Sequence, residues 1–182
     1  MMAKALSAVS EALAPIIAML GATPARWIHL ADHFPAALFT RPAGPGEWSA
    51  RDCLEHMLTT ETGLYPARLA AFLAGQDFTP FDPAADGGDY SAQTPVQLAA
   101  SFAHQRNANL AAQDALTLDD LGRTVRHPMF GPVTLLQMLH SWAAHDLNHT
   151  TQAEDALMQP FIVASGPWRG YFKAHDRTPQ EG

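Results

Sequence analysis

Residues 140–157 read HSWAAHDLNHTTQAEDAL, and this stretch decides the fold class. Its apolar residues recur at intervals of three and four, which is the period of an α-helix. One side of that helix, followed back to residue 135, carries Leu135, Met138, Trp142, His145, His149 and Ala156. A buried imidazole needs polar partners, because an unpaired ring nitrogen is costly. The stretch therefore predicts a long helix with two inward-facing histidines.

The same period continues through most of the chain, and no long alternating strand pattern appears. Pro15 and the sequence GATP predict a kink or a break in the first helical segment. Ser49 is the expected N-cap of the second helix, and Asp52 adds a carboxylate near its positive end. Thr94 followed by proline predicts the start of the third helix. The four predicted helices span about residues 4–34, 49–75, 94–116 and 134–158.

The connections between these helices are predicted to be irregular. Residues 76–93 are rich in Gly, Pro and Asp and are expected to form a long crossover. The sequence RHPMFGPVT at 126–134 predicts a tight connection, and a less regular tail is expected from about residue 159. Four long helices with one long crossover predict an all-α four-helix bundle, with residues 1–182 in a single domain.

Composition excludes several classes of partner. Hydrophobic residues make up 47% of the 182 residues, which is typical of a globular chain. The formal charge is −7 and the 11 lysines and arginines are scattered, so neither nucleic acid nor an anionic membrane surface is an expected partner. The single cysteine rules out an internal disulfide. No continuous run of 18 apolar residues follows the N-terminus, and we expect a cytoplasmic protein.

Histidine spacing suggests a metal site. Two residues four apart on a helix point in similar directions, so an HxxxH pair can bind one ion. The chain has two such pairs, His29 with His33 and His145 with His149. Nine histidines placed at random in a chain of 182 residues would give roughly 0.4 such pairs. The first pair is predicted on the outward face of its helix and the second on the inward face. His140 points elsewhere and is not expected to be a ligand.

A third ligand has to come from another helix, and His56 is the best candidate. It borders the side of the second helix that carries Cys53, Met57 and Thr60. It lies at the edge of this apolar arc, so periodicity leaves its direction open. On pattern alone, a three-histidine metal site and three hydrogen-bonded core histidines are equally good interpretations.

Two segments together resemble the DinB-like superfamily, a group of damage-inducible and thiol-transferase-like bundle proteins that is unrelated to the DNA polymerase of that name. The segments are GEWSARDCLEHMLTTE at 46–61 and RHPMFGPVTLLQMLHSWAAHDLNHTTQ at 126–152. The most specific features are Trp48-Ser49 with His56 seven residues after the serine, the HPMFG sequence, and His145-Asp146 with His149 and Gln152. The similarity extends from about residue 23 to the GPWRGYF sequence near the C-terminus.

The resemblance implies a bundle with one long crossover and a divalent ion held between the second and fourth helices by His56, His145 and His149. It also implies a frequent homodimer. Members with known chemistry are metal-dependent transferases or isomerases that use a low-molecular-weight thiol. Many other members have no assigned reaction, and fold alone does not decide function.

The ligand type favours zinc, although nickel or iron also suits three imidazoles. Such an ion would activate a thiol for attack on a small electrophile, or a water molecule for hydrolysis. We rank thiol transfer first, mainly because of the resemblance. A metal-dependent hydrolase, or a non-catalytic bundle that serves stress response, is the alternative. The 76–93 crossover and the tail near Trp168 are expected to select the small-molecule substrate.

Neighbouring residues have two interpretations each. Asp146 and Gln152 either orient the imidazoles or make ordinary hydrogen bonds between helices. Glu61 either pairs with an arginine, which we rank first, or acts as a base.

The pocket around the ion is predicted to include residues from both helices. Cys53, Thr60 and Trp142 are candidates for this pocket. Cys53 either approaches the ion or fills the core as a small hydrophobic residue, and the second is favoured. Trp142 and Trp48 are expected to be packing anchors, although Trp142 precedes His145 by one turn and is placed to line a pocket.

Overall fold

The computed structural model describes residues 2–177, and the side chains of residues 8–177. The described residues form eight α-helices and one two-stranded hairpin. The helices are α1 (Met2–His33), α2 (Ala36–Phe39), α3 (Ala50–Thr59), α4 (Tyr65–Ala74), α5 (Pro83–Asp86), α6 (Pro95–Ala111), α7 (Leu118–Gly122) and α8 (Leu135–Ala164). The strands are β1 (Thr124–His127) and β2 (Gly131–Thr134).

The helices α3, α6 and α8 begin after residues whose side chains satisfy free backbone N–H groups. Ser49, Thr94 and Thr134 each form a capping box with the residue three positions later. Gly75 ends α4 in the left-handed conformation that glycine adopts without strain, with φ of 66°. The predicted caps at Ser49 and Thr94 and the predicted stop at Gly75 are therefore present.

Four long helical segments form the bundle, which confirms the predicted fold class. The segment α1 packs against α6 and α8, and α3 packs against the same two helices. The core consists of two clusters of buried residues, one around Trp142 and Leu135 and the other around Trp27 and Phe102. The long crossover joins α4 to α6, as predicted, and contains only the short α5. The prediction of a single domain stays a prediction, and Met1 and residues 178–182 lie outside the described part.

The structure corrects three predicted boundaries. The segment α1 continues through Pro15 and Pro24, because its buried face packs along the bundle and offsets two missing hydrogen bonds. The connection at 126–134 contributes to an antiparallel hairpin, with Val125 opposite Val133. The fourth helix continues past residue 158 to Ala164, and a 3₁₀ helix follows at Gly166–Phe172. The tail is therefore more regular than predicted.

A π-helical segment at Thr60–Leu64 joins α3 to α4, and sequence periodicity gave no sign of it. Such segments are rare and often occur at functional sites. This one contains Glu61, whose side chain is almost completely buried. It also contains Gly63, where an added Cβ would lie 3.1 Å from the Phe81 ring of the crossover. The segment thus brings a carboxylate into the core and lets the crossover approach closely.

The first helix passes a test for membrane spans by length and composition alone. Residues Ala8–His33 include a window of mean hydropathy 1.4. One face of this helix, including Ile16, Leu20 and Trp27, is buried in the bundle core. An apolar helix that packs in this way is not evidence of a membrane span.

Candidate metal centre

Three histidines from two helices come together in the bundle. His56 lies on α3, and His145 and His149 lie one turn apart on α8. One ring nitrogen from each lies within 4.8 Å of those of the other two. The Nε2 atoms of His56 and His145 are 3.0 Å apart, although the residues are 89 positions apart in the chain.

The three imidazoles are neutral at pH 7, as metal ligands must be. Burial, with a smaller contribution from the adjacent His149 ring, lowers the pKa of His56 to about 4. Burial lowers the pKa of His145 to about 3, with smaller contributions from His149 and His56. The pKa of His149 is also lowered by burial, against a smaller opposing effect of Gln152.

Gln152 fixes the orientation of His149. Its Oε1 atom lies 2.9 Å from His149 Nδ1, and an amide oxygen can only accept. Nδ1 therefore carries the proton, and the lone pair on Nε2 remains available. His145 has no such support, since its Nδ1 atom is buried without a hydrogen-bond partner. One of the three rings is thus held by a side chain that orients its free nitrogen.

A buried ionic cluster lies directly behind the histidines. Arg106 from α6 donates to both carboxylate oxygens of Glu61 and to both of Asp146, at 2.6–2.9 Å. Asn109 donates to Glu61 Oε1 at 2.9 Å, and the Trp142 indole donates to Glu61 Oε2 at 3.1 Å. Burial alone would lower the pKa of Arg106, but its bonds and attraction to the two carboxylates outweigh burial and raise the pKa.

Arg106 also completes the hydrogen bonding of the first helix. Its Nη1 atom donates to the carbonyl oxygen of Leu20 at 2.9 Å. In an uninterrupted helix that carbonyl would accept from the N–H of residue 24, but Pro24 has none. The arginine therefore links α1, α6, α8 and the π-helical segment at one point.

A cavity of about 490 Å³ opens beside His56. Its wall includes Trp48, which precedes α3, residues Asp52, Glu55 and Thr59 along α3, and part of the crossover from Asp82 to Tyr90. Arg51 secures the end of the crossover by donating to the carbonyl oxygens of Tyr90 and Gln93. The crossover therefore borders the histidine cluster. Its expected part in substrate selection stays a prediction.

The model of the DinB superfamily matches residues 19–153, about three quarters of the chain. The chain belongs to the DinB superfamily. A similar solved structure is YfiT from Bacillus subtilis, which is described as a probable metal-dependent hydrolase with an unusual four-helix bundle topology. The TM-score is 0.68 at 20% sequence identity, and the similarity covers 78% of this chain and 83% of YfiT. No curated protein matches.

In this DinB-superfamily chain, the three candidate pocket residues make contacts within the protein, and for Cys53 and Trp142 these contacts agree with the packing interpretation that was favoured. Cys53 is completely buried in the core, and burial with the nearby Asp52 charge raises the pKa of its thiol to about 12. Thr60 donates to the carbonyl of Met57, and Thr59 lines the cavity in its place. Trp142 is buried and stacks on Tyr65 at 4.4 Å between ring centroids.

Of the predicted supporting residues, one contacts a histidine ring and two bind Arg106. Gln152 contacts a histidine ring, as one of its two interpretations required. The carboxylate of Asp146 binds Arg106, so the hydrogen bonds place it between helices rather than on an imidazole. Glu61 pairs with an arginine, the interpretation ranked first. His29 and His33 are exposed, and their rings stack on each other. His140 is also exposed.

Sequence reasoning missed two residues of the DinB-like site. Trp48, interpreted as a packing anchor, is 38% exposed, and its ring lies 5.2 Å from His56 and 5.6 Å from His149. Arg106 was not predicted as a site residue, although it follows Leu98 and Phe102 along the apolar side of its helix. A charged residue on such a side is a signal for a buried ion pair.

The residues present fit a divalent cation. The Nε2 atoms of His56 and His145 approach within hydrogen-bond distance, and His149 directs a free lone pair to the same region. Three neutral imidazoles with no carboxylate among them match the open catalytic pattern rather than the closed structural one. The histidine cluster is therefore able to hold a metal ion.

Proposed function

We propose that this protein is a metal-dependent enzyme that transfers a low-molecular-weight thiol to a small electrophile. His56, His145 and His149 hold the ion, with zinc favoured by ligand type and nickel or iron also accepted. The single observation that carries the proposal is the convergence of three neutral imidazoles beside a cavity of about 490 Å³.

A divalent ion in this place would lower the pKa of a bound thiol or water molecule, so that a nucleophile forms at neutral pH. The chain's own residues supply the surroundings. His56 and Thr59 form the wall of the cavity on the α3 side, and the crossover forms the opposite wall. The Trp48 ring stacks on His149 and contacts His56 at an angle, so it covers one side of the cluster. We therefore expect the substrate to enter between Trp48 and the crossover.

The neighbouring carboxylates favour thiol transfer over hydrolysis. Asp52 accepts hydrogen bonds in the capping box, and Glu55 pairs with Arg51 at 2.7 Å. Glu61 and Asp146 are occupied by Arg106. A hydrolase benefits from a free base and an acid for its leaving group. A thiol that attacks an epoxide needs less help, because a thiolate is already a strong nucleophile and the three-membered ring is strained. A sulfur–carbon bond replaces a carbon–oxygen bond, and the proton released by the thiol ends on oxygen.

A metal-dependent hydrolase is the second candidate, and the similarity to YfiT favours it. In that case the same three histidines hold the ion and water takes the place of the thiol. A non-catalytic, stress-related metal-binding bundle is the remaining alternative. For all three we propose a cytoplasmic protein with a small-molecule ligand, and a homodimer as expected for the family.

Metal content tests the ligand assignment. His145→Ala is expected to lose most of the bound zinc after purification and dialysis, because two remaining imidazoles hold the ion weakly. The matched control is His29→Ala, which removes one histidine from the exposed pair and should retain about one zinc per chain. Elemental analysis measures both. Stoichiometric zinc in the His145 variant would contradict the assignment, and loss in the His29 variant would point to the other pair.

Turnover distinguishes the candidate reactions. The zinc-loaded protein is expected to conjugate thiols to epoxides or haloalkanes, and a chelator or His145→Ala should abolish this activity. Product formation is measured by mass spectrometry with a panel of thiols, and a panel of esters and amides is assayed in parallel. Ester or amide cleavage without conjugation would favour the hydrolase. Zinc binding without any turnover would favour the non-catalytic bundle.

A further inference from the structure

A second cavity, of about 420 Å³, lies away from the three histidines along α4. Its walls are mainly apolar, with alanine methyl groups from α4 and the rings of Phe78 and Phe81 from the crossover. One cation, Arg68, faces this cavity. None of the proposed metal ligands lines it.

Arg68 has no anionic partner among the described residues. Its guanidinium contacts the Phe78 ring at 5.0 Å and points one N–H at His127 Nε2, 3.2 Å away. Its Nε atom is buried and has no hydrogen-bond partner. The acidic residue of the cavity, Asp77, is exposed and accepts from the backbone N–H of Arg126 instead. Burial lowers the pKa of Arg68, as expected where no carboxylate compensates it.

His127 cannot satisfy the N–H donors around it. The backbone N–H of Met129 points at its Nδ1 atom from 3.1 Å, and Arg68 points at its Nε2 atom. A neutral imidazole has one accepting nitrogen, so one of these two donors faces another N–H. With the buried Nε of Arg68, two donors in this corner lack an acceptor. Unpaired donors of this kind are costly unless an acceptor arrives from outside.

We propose that this cavity binds a small organic carboxylate with an apolar body. The carboxylate accepts from Arg68, which lines the cavity. When Nδ1 of His127 accepts from Met129, Nε2 carries the proton, and the Arg68 N–H that faces Nε2 is left for the ligand. The apolar body lies against the alanine methyl groups and the two phenylalanine rings. Guanidinium and carboxylate form paired, charge-assisted hydrogen bonds, and this geometry favours a carboxylate over a monatomic anion.

The carboxylate site is distinct from the metal centre and does not depend on it. Tyr65 lies between them in sequence and in space, since its ring contacts His145 at 5.6 Å and Arg68 follows it by one helical turn. A bound carboxylate would therefore sit one side chain away from the histidine cluster. Such a position suits either a second substrate or an effector.

Calorimetric titration with benzoate and hexanoate tests the proposal. Wild-type protein is expected to bind both, and Arg68→Gln should weaken binding at least tenfold. Arg68→Lys should give an intermediate affinity, because lysine keeps the charge and loses the paired donors. The matched control is Arg41→Gln, which removes an exposed cation elsewhere and should leave the affinity within twofold. Benzyl alcohol, which has the apolar body without the charge, should not bind measurably.

Two further variants keep the test decisive. Ala67→Leu fills the cavity without altering Arg68 and should weaken benzoate binding, whereas Ala100→Leu on the exposed face of α6 should not. Titration of wild-type protein freed of metal by a chelator and dialysis excludes binding of benzoate to a metal ion and should give the same affinity as titration before metal removal. The proposal is overturned if neither probe binds, if Arg68→Gln and Ala67→Leu bind as wild type does, or if inorganic phosphate binds as tightly as benzoate.

Discussion

The amide of Gln152 determines which nitrogen of His149 faces the other two histidines. Because Oε1 accepts from Nδ1, the ring presents the lone pair of Nε2. A ring without this bond would rotate or change tautomer, and part of the time it would present an N–H to the ion. Gln152 contributes to metal affinity in this way without contacting the metal.

We therefore predict that Gln152→Ala lowers zinc affinity by about 10- to 100-fold, as loss of an orienting hydrogen bond does at other metal sites. The matched control is Asn148→Ala, which removes an exposed amide from the same helix and should leave affinity unchanged. Competition with a chromogenic chelator measures both constants. Equal affinities for the two variants would show that Gln152 does not orient the ring. Gln152→Glu should retain tight binding, because a carboxylate also accepts from Nδ1.

At the residue scale, helical periodicity predicted which residues of one helix lie on the same side. His145 and His149 share the inward side of a regular helix, so their proximity follows from the sequence alone. His56 was the best third candidate on pattern alone, but its direction stayed open because it lies at the edge of its apolar arc, and the family resemblance favoured it. The partner of Asp146 was out of reach, since Arg106 is 40 residues away and nothing in local spacing links them. Long-range pairing of charges is a property of the packed bundle.

At the scale of elements, the Arg106 cluster connects four helical segments. One guanidinium binds carboxylates from the π-helical segment and from α8, and it also binds the Leu20 carbonyl that Pro24 leaves free in α1. A buried ion pair of this kind adds little stability relative to apolar packing, but removal of one partner is severe. Its position behind His145 makes the cluster important for the relative placement of α3 and α8.

We predict that Arg106→Met lowers the free energy of unfolding by about 3–5 kcal/mol, because Glu61 and Asp146 become buried charges without their cationic partner. Arg26→Met, which removes one partner of the exposed Arg26–Glu154 pair, should cost less than about 1 kcal/mol. Urea denaturation measures both values. A loss below about 1 kcal/mol for Arg106→Met would mean that the carboxylates are neutral or hydrated in the folded protein. Arg106→Lys should lie between the two.

Element starts were more predictable than element ends and interruptions. Ser49 and Thr94 carry their capping signals in the sequence, and both caps are present. Pro15 and the GATP sequence predicted a kink or a break, and the fourth helix was expected to end at about residue 158, before Pro160. Both helices continue through proline, because packing of the flanking turns maintains them. The hairpin at β1 and β2 is too short to show an alternating pattern. The π-helical segment changes the period for only one turn, which a search for the helical period does not detect.

At the scale of the whole molecule, the bundle brings histidines from distant parts of the chain into one half-buried cluster, and folding changes their protonation. In the unfolded chain a histidine titrates near pH 6.5. In the folded metal-free chain the pKa is lowered to about 4 for His56 and about 3 for His145. Between these limits the unfolded chain binds more protons, so stability increases with pH.

The metal-free protein is therefore predicted to lose stability as pH falls from 6.5 towards 4. His145 alone contributes on the order of 1 kcal/mol between pH 6.5 and 5.5, since one pKa unit corresponds to about 1.4 kcal/mol. The comparison is His145→Gln, which cannot titrate and should show a shallower decrease in melting temperature over this range. Differential scanning calorimetry in the presence of a chelator measures the slopes. Identical slopes would show that His145 is not neutral in the folded protein.

The π-helical segment also determines where this chain can tolerate a change in length. A π turn holds one residue more than an α turn, and every side chain after Leu64 takes its direction from that additional residue. Deletion of one residue here would turn α4 by about 100° relative to α3. Tyr65 would leave Trp142 and Arg68 would leave His127, while His56 stayed in place. Insertions and deletions should therefore accumulate in the adjacent crossover and be excluded from these five positions.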